Sequence, residues 1–330
     1  MKTYRAAVLG CGRIGSTFAD DNAKLGIYSH AEAYATLPQT VLAAVCDADP
    51  ARLAACAERW NVPARYDSVS ALLAEAAPEV VSICTPDATH FTLGMMALDA
   101  PSTRAILMEK PLALRLDDAR TLVARARERR IPVLVNYSRR YATSHMTLRQ
   151  AISKGELGQV QTVAGYYTKG MIHNGTHWID LSRFLLGEVT RVRGFAAAQP
   201  ASDDPTVDAR LEFASGATGY LHGCDESAFS IFEMDVVGTK GRVRLTDSGH
   251  KFESFAVVDC AHYSGYRSLA PTMGIEGGLR DVTLHAAEDL VACLQSPGRE
   301  PVCSAEDALK ALEIAFAARD SAISGEVIPL

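Results

Sequence analysis

Glu109, Lys110 and Pro111 close the run "RAILMEKP", and their side-chain types describe a place where chemistry could happen. Residues 105–108 are apolar and read as a buried strand. Burying a charge without a partner is costly, so the carboxylate and ammonium are expected where that strand leaves its sheet and meets a ligand. Hydride leaves a carbinol carbon only as the hydroxyl proton departs. A fixed cation such as Lys110 stabilises the developing alkoxide, and a side chain within hydrogen-bond reach moves the proton. A second chemical stretch is "MIHNGTHWIDLSRFLLG". Thr176 or Asn174 is expected to cap a helix that runs to Leu186, with Gly187 as its stop. Helical spacing puts Trp178, Leu181 and Leu185 on one face and His177, Asp180 and Arg183 on a polar stripe. At the start of such a helix the imidazole of His177 is favoured neutral, as a base must be. His173, His177 and Asp180 also have metal-like spacing, but Asn174-Gly175 is expected to break the register between the histidines, and no metal site is assigned.

The third stretch is "VLGCGRIG", which gives Gly10-x-Gly12-x-x-Gly15 with Arg13 and Ile14 inside it, directly after an apolar strand. Glycines there permit a tight turn, close approach of backbone to a pyrophosphate, and packing of a following helix whose first N–H groups face the anion. Asp47 stands at the end of the second apolar run, where an acid accepts from ribose hydroxyls and repels a 2′-phosphate. NAD is therefore expected over NADP. Residues 16–29 read as an insertion before the helical pattern resumes at "HAEAYATLP", with Asp20 and Asp21 as solvated loop residues.

Positioning these groups requires a particular scaffold. Apolar runs at 4–10, 40–47, 80–86, 105–108 and 131–137 alternate with amphipathic helical patterns, the signature of a parallel sheet covered on both faces. From about residue 159 the texture changes to successive short strands at 160–168, 190–199, 206–213, 217–224, 231–237 and 242–246, with "ASGA" and "GTKG" as hairpin turns. The expected fold is α/β: an N-terminal doubly wound Rossmann domain over residues 1–140, then an α+β domain over 141–330 with a largely antiparallel open sheet. The C-terminal helix is free in this scheme to pack back on the first domain. A length of 330 residues exceeds the roughly 250–300 a single core usually reaches, in keeping with two domains. A net charge of −6 argues against nucleic-acid binding. No apolar run approaches the roughly 18 residues of a membrane span. The N-terminal decapeptide enters a strand without a signal-peptide core, and the eight cysteines form no C-x-x-C pair, so a reduced, soluble, cytoplasmic protein is expected.

The glycine loop, Asp47, "CTPDATH" and "MEKP" occur in an order that resembles the glucose–fructose oxidoreductase, inositol dehydrogenase and rhizopine catabolism (Gfo/Idh/MocA) family. The resemblance covers nearly the whole chain. It implies that Thr85, Pro86 and His90 run along the cofactor and that Glu109 and Lys110 lie beside the nicotinamide ribose and the reacting carbon. It also puts Asn136 near the same pocket, and a cis Lys110–Pro111 bond fits the turn. His177 matches the histidine of the family's D-x-G-x-H-x-x-D motif, while His173 stands where that motif often has its first aspartate. Tyr167 and Lys169 are expected substrate contacts, whereas Tyr166, as a strand tyrosine, is expected to pack. Arg139, Arg140 and Tyr141 read as a solvated face. The implied activity is NAD(P)-dependent hydride transfer on a sugar, cyclitol or nucleotide-linked sugar by a homodimer or homotetramer. A reductase of a non-sugar carbonyl or imine, and a non-catalytic nucleotide sensor, stand as alternatives.

Overall fold

The computed structural model describes residues 2–21, 25–196 and 203–330, so part of the insertion (22–24) and the far end of the strand expected at 190–199 lie outside the described residues. The chain divides into two compact units. The first comprises Met1–Tyr141 and Arg280–Leu309; the second comprises Ala142–Leu279 and Lys310–Leu330. Residues 280–309 thus group with the first unit rather than with the rest of the C-terminal half.

In the first unit, strands β1 (Tyr4–Leu9), β2 (Thr40–Cys46), β3 (Ala64–Tyr66), β4 (Val80–Ile83), β5 (Ala105–Met108) and β6 (Val133–Val135) form a sheet in the order β3-β2-β1-β4-β5-β6. All pairings in it are parallel. β4 and β5 are buried at every position, as strands covered on both faces must be. The order reverses at β1, so the crevice between the ends of β1 and β4 is the place such sheets offer a ligand. Sequence reading passed over β3, which is short and only half-buried and therefore carries no apolar run. Helices α1 (His30–Thr36), α2 (Pro50–Arg59), α3 (Val69–Ala71), α4 (His90–Asp99) and α5 (Leu116–Arg129) make the crossovers. Asp49 caps α2 by accepting from the N–H groups of Ala51 and Arg52.

The second unit opens with α6 (Thr143–Ser153) and β7 (Val160–Tyr167), then α7 (Thr176–Leu186). The strands β8 (Val189–Phe195), β9 (Asp208–Phe213), β10 (Thr218–Gly223), β11 (Phe232–Gly238), β12 (Gly241–Thr246), β13 (Lys251–Asp259) and β14 (Arg267–Thr272) follow. With the terminal β15 (Ile328–Pro329) they complete a nine-stranded mixed sheet ordered β14-β13-β12-β11-β7-β10-β9-β8-β15. β7 pairs parallel with β10 and antiparallel with β11. The alternation at Val207, Ala209, Leu211 and Phe213 is that of a half-buried strand, and all four side chains are buried. β13 and β14 escaped prediction because they bury neither face fully. α8 (Val282–Gln295) belongs to the first unit, and α9 (Ala305–Ser324) is divided between the two.

Candidate active site

In a parallel sheet every strand presents its C-terminal end on the same edge, and the candidate residues of the first unit gather there. The ladder extends one residue past each strand: Gly10 N–H donates to Cys46 O at 2.8 Å, Cys84 N–H to Leu9 O at 2.8 Å, Glu109 N–H to Ile83 O at 2.9 Å and Asn136 N–H to Met108 O at 2.8 Å.

The glycine loop shows why its glycines are needed. Gly10 has φ +93°, and a Cβ there would stand 2.7 Å from Cys84 O; one at Gly15 would stand 2.0 Å from Gly10 O. A Cβ at Gly12 would meet no protein atom within 4 Å, so only a ligand approaching the loop demands glycine at that position. Gly12 faces a cavity of about 540 Å³ lined also by Leu9, Asp47, Thr85, Pro86 and Leu93. The helix expected to follow is a five-residue π turn, Arg13–Thr17, because the insertion interrupts it; α1 resumes the crossover at His30. Within the insertion Asp20 is solvent-exposed, as expected, and ion-paired with Arg59 at 2.6 Å; nothing is described of the Asp21 side chain. Asp47 accepts from Cys11 N–H at 2.7 Å and Asp49 N–H at 2.8 Å, which fixes its carboxylate against the loop. Arg52 Nε stands 3.5 Å from it.

His90 is a buried tie, not a cavity-lining group. Its Nδ1 is 2.7 Å from Pro111 O and its Nε2 is 2.9 Å from Thr85 O, so the ring joins the loops after β4 and β5. The Lys110–Pro111 bond is cis. Glu109 is largely buried, and its Oε1 accepts from Asn136 Nδ2 at 2.7 Å and meets His30 Nε2 at 2.9 Å. Burial alone would raise its pKa. The bonds from His30 and Asn136, with the charges of His30 and Lys110, outweigh burial and hold the carboxyl below its usual range. His30 went unremarked in the sequence. The available signal was Ser82, a lone hydroxyl in an otherwise aliphatic buried strand, which required a partner. Arg139 and Arg140 are buried rather than solvated. Arg140 donates to Val302 O at 2.8 Å and pairs with Asp307, and burial lowers the Arg139 guanidinium to about 10.

In the second unit α7 covers Thr176–Leu186 with Gly187 at φ +90° as its stop, but neither expected N-cap is used: Gly175 precedes the helix, Thr176 Oγ1 donates to Ile172 O at 2.7 Å and Asn174 Nδ2 to Thr168 O at 2.8 Å. Trp178, Leu181 and Leu185 are buried, but so are Asp180 and Arg183, so the expected polar stripe is largely internal. His177 is half-buried and His173 exposed. Asn174-Gly175 does not interrupt the helical path: residues Gly170–Gly175 form a π turn, of wider period than an α-helix, that runs directly into α7. His177 is thus a turn inside a continuous helical path, which weakens the helix-start argument for its neutrality. The turn is pinned from a later segment. Asp204 accepts from Ile172 N–H at 2.9 Å and His173 N–H at 2.9 Å, and Thr206 Oγ1 accepts from Gly170 N–H at 3.0 Å. Tyr167 is fully buried, its hydroxyl donating to Val207 O at 2.8 Å and accepting from Val207 N–H at 2.9 Å, so the expected substrate contact is a packing residue. Tyr166 is the exposed member of the pair, and Lys169 is exposed in a left-handed conformation. Among the described residues no group of three or more His, Cys, Asp or Glu side chains is placed to hold a metal ion.

Residues 4–137 match the family model described as an oxidoreductase family with an NAD-binding Rossmann fold, and residues 167–244 match that family's C-terminal domain. The chain belongs to the Gfo/Idh/MocA oxidoreductase family. Over 338 residues it is 28% identical to the inositol 2-dehydrogenase of Rhizobium meliloti, covering 96% of each chain. It is 25% identical over 361 residues to the D-apiose dehydrogenase of Paraburkholderia graminis, covering all of this chain and 90% of that one. An oxidoreductase from Agrobacterium radiobacter, solved with NAD+, L-tartaric acid and magnesium, shares the fold with a TM-score of 0.78 at 22% identity, over 99% of this chain and 98% of that one. As a family member the chain is an oxidoreductase with a nicotinamide-dinucleotide site. The open space at Gly12 and the lined crevice beside it fit such a group.

Proposed function

We propose that this oxidoreductase transfers hydride between NAD and a secondary alcohol or ketone of a sugar or cyclitol. The observation that carries the reading is the end of β5, where a buried, ionised Glu109 and the adjacent Lys110 stand on the same sheet edge as the glycine loop. Full-length similarity to inositol and apiose dehydrogenases supports the substrate class. The Gly10–Gly15 loop would hold the pyrophosphate, Asp47 the adenosine ribose, and Thr85 and Pro86 the opposite wall. Asp47 favours NAD, since its charge opposes a 2′-phosphate. Bound NAD supplies the hydride acceptor. Lys110 stabilises the alkoxide oxygen as the hydroxyl proton leaves, His177 takes that proton, and Asp180 and His173 assist. Lys169 meets substrate hydroxyls. We assign the protein to the cytoplasm as a homodimer or homotetramer; the free state of all eight cysteines agrees with a reducing compartment.

The test is nicotinamide absorbance on mixing the protein, NAD and a panel of sugars, cyclitols and nucleotide sugars, with Lys110→Ala as the paired control. The expected result is turnover in the wild type and a loss of about 10²–10⁴-fold in the variant, with NADH binding retained. Equal rates in both would remove Lys110 from the chemistry. Silence across the panel would remove the substrate class.

A further inference from the structure

Behind Glu109 lies a chain of polar side chains that the proposed reaction does not employ. His30, at the start of α1, is fully buried, as are Ser82 in the middle of β4 and Tyr34 one turn along α1. His30 Nδ1 is 2.9 Å from Ser82 Oγ, and the Tyr34 hydroxyl is 2.8 Å from the same oxygen. At the other end of the ring, Nε2 meets Glu109 Oε1 at 2.9 Å. None of the three lines the cofactor cavity. Aliphatic side chains would fill the same space without the cost of burying polar groups, so the chain calls for a role in what it touches.

We propose that His30 is a positioning residue for the reaction centre: with Ser82 and Tyr34 fixing the ring, it holds Glu109 as an immobile carboxylate beside Lys110. The proposal rests on the hydride-transfer reading above. Its geometry is restrictive, since His30 and Asn136 converge on one carboxylate oxygen from different elements and so fix the rotation of the group. The groups that face Glu109 are His30 from α1, Asn136 beyond β6 and Lys110 on its own strand end, while Tyr28 and Cys84 lie within its field. Without His30, burial would dominate and the carboxylate would take a proton at higher pH, withdrawing the negative charge beside Lys110.

The experiment compares His30→Leu, which keeps the volume but neither nitrogen, with His30→Gln, which keeps a donor. Hydride transfer is followed across pH on whichever panel substrate the wild type turns over, with NADH fluorescence titrations in parallel. In His30→Leu, kcat should fall about tenfold to a hundredfold at neutral pH and the acid limb of the profile should move upward by about one unit or more. KM for NAD should stay within about threefold, and His30→Gln should recover most of the rate. Wild-type kcat and an unmoved acid limb in His30→Leu would overturn the proposal. So would equal loss of rate, NADH binding and melting temperature in both variants, which is the mark of a merely structural residue. If the wild type turns over nothing on the panel, it is the substrate reading that fails, and the NADH titration decides for His30. Binding that weakens toward acid in His30→Leu but stays level in the wild type supports the role; parallel curves overturn it.

Discussion

The groups proposed to share the chemistry are held in different ways. Glu109 sits at the end of a strand buried on both faces, and its side chain is fixed by other side chains, His30 and Asn136. The turn that carries His173 and leads to His177 is fixed through its backbone, whose N–H groups are taken by Asp204 and Thr206 from a segment some thirty residues later. A strand end inherits its position from the sheet, and only its charge has to be managed. A turn has no such frame, and a carboxylate accepting several N–H groups supplies one. The strand-end site should therefore respond to changes of charge, and the turn site to changes of backbone anchorage.

The contrast can be sharpened or broken by substitution. The largest effect is expected at His177→Ala: a kcat loss of about 10²–10⁴-fold with an unaltered melting temperature, read by NADH absorbance and calorimetry. Next, Asp204→Ala should destabilise the second unit by about 1–3 kcal/mol, since charged hydrogen bonds to the backbone N–H groups of Ile172 and His173 are lost, and should lower kcat with it. Denaturant titration of Asp204→Ala with a wild-type midpoint would show that the turn holds itself, and the contrast would fall. Tyr167→Phe removes a hydroxyl that bonds Val207 twice, and should cost about 1–3 kcal/mol of stability without raising KM for substrate. A raised KM with unchanged stability would restore Tyr167 as a substrate contact. His173→Ala should have the smallest effect, about threefold or less in kcat, because the substitution leaves its backbone N–H on Asp204 in place.

The same difference governs how much the sequence discloses. The Rossmann order, the glycine loop and the strand-end motif are local patterns, and each stands where the spacing puts it. His30 is separated from Glu109 by 79 positions and from the glycine loop by the insertion, so no local period joins them. Asp204 meets His173 across 31 positions for the same reason. Tyr166 is exposed and Tyr167 buried, the reverse of the expectation, because adjacent strand residues face opposite ways, and composition does not fix the parity of a strand. The edge strand β14 and its neighbour β13 carried no clear alternation to read, since neither of their faces is fully buried.

The return of residues 280–309 to the first unit bears on how the protein is made. The core of the nucleotide-binding unit is incomplete until α8 arrives, because Ile27 N–H bonds Asp281 at 2.8 Å, Thr283 bonds Tyr28 O at 2.8 Å and Tyr141 bonds Asp289 at 3.3 Å. Domains emerging from the ribosome generally fold in the order of synthesis. Here the unit begun first must wait for nearly the whole polypeptide, while every strand of the second sheet except β15 is already synthesised. The part that emerges first is therefore among the last to be finished.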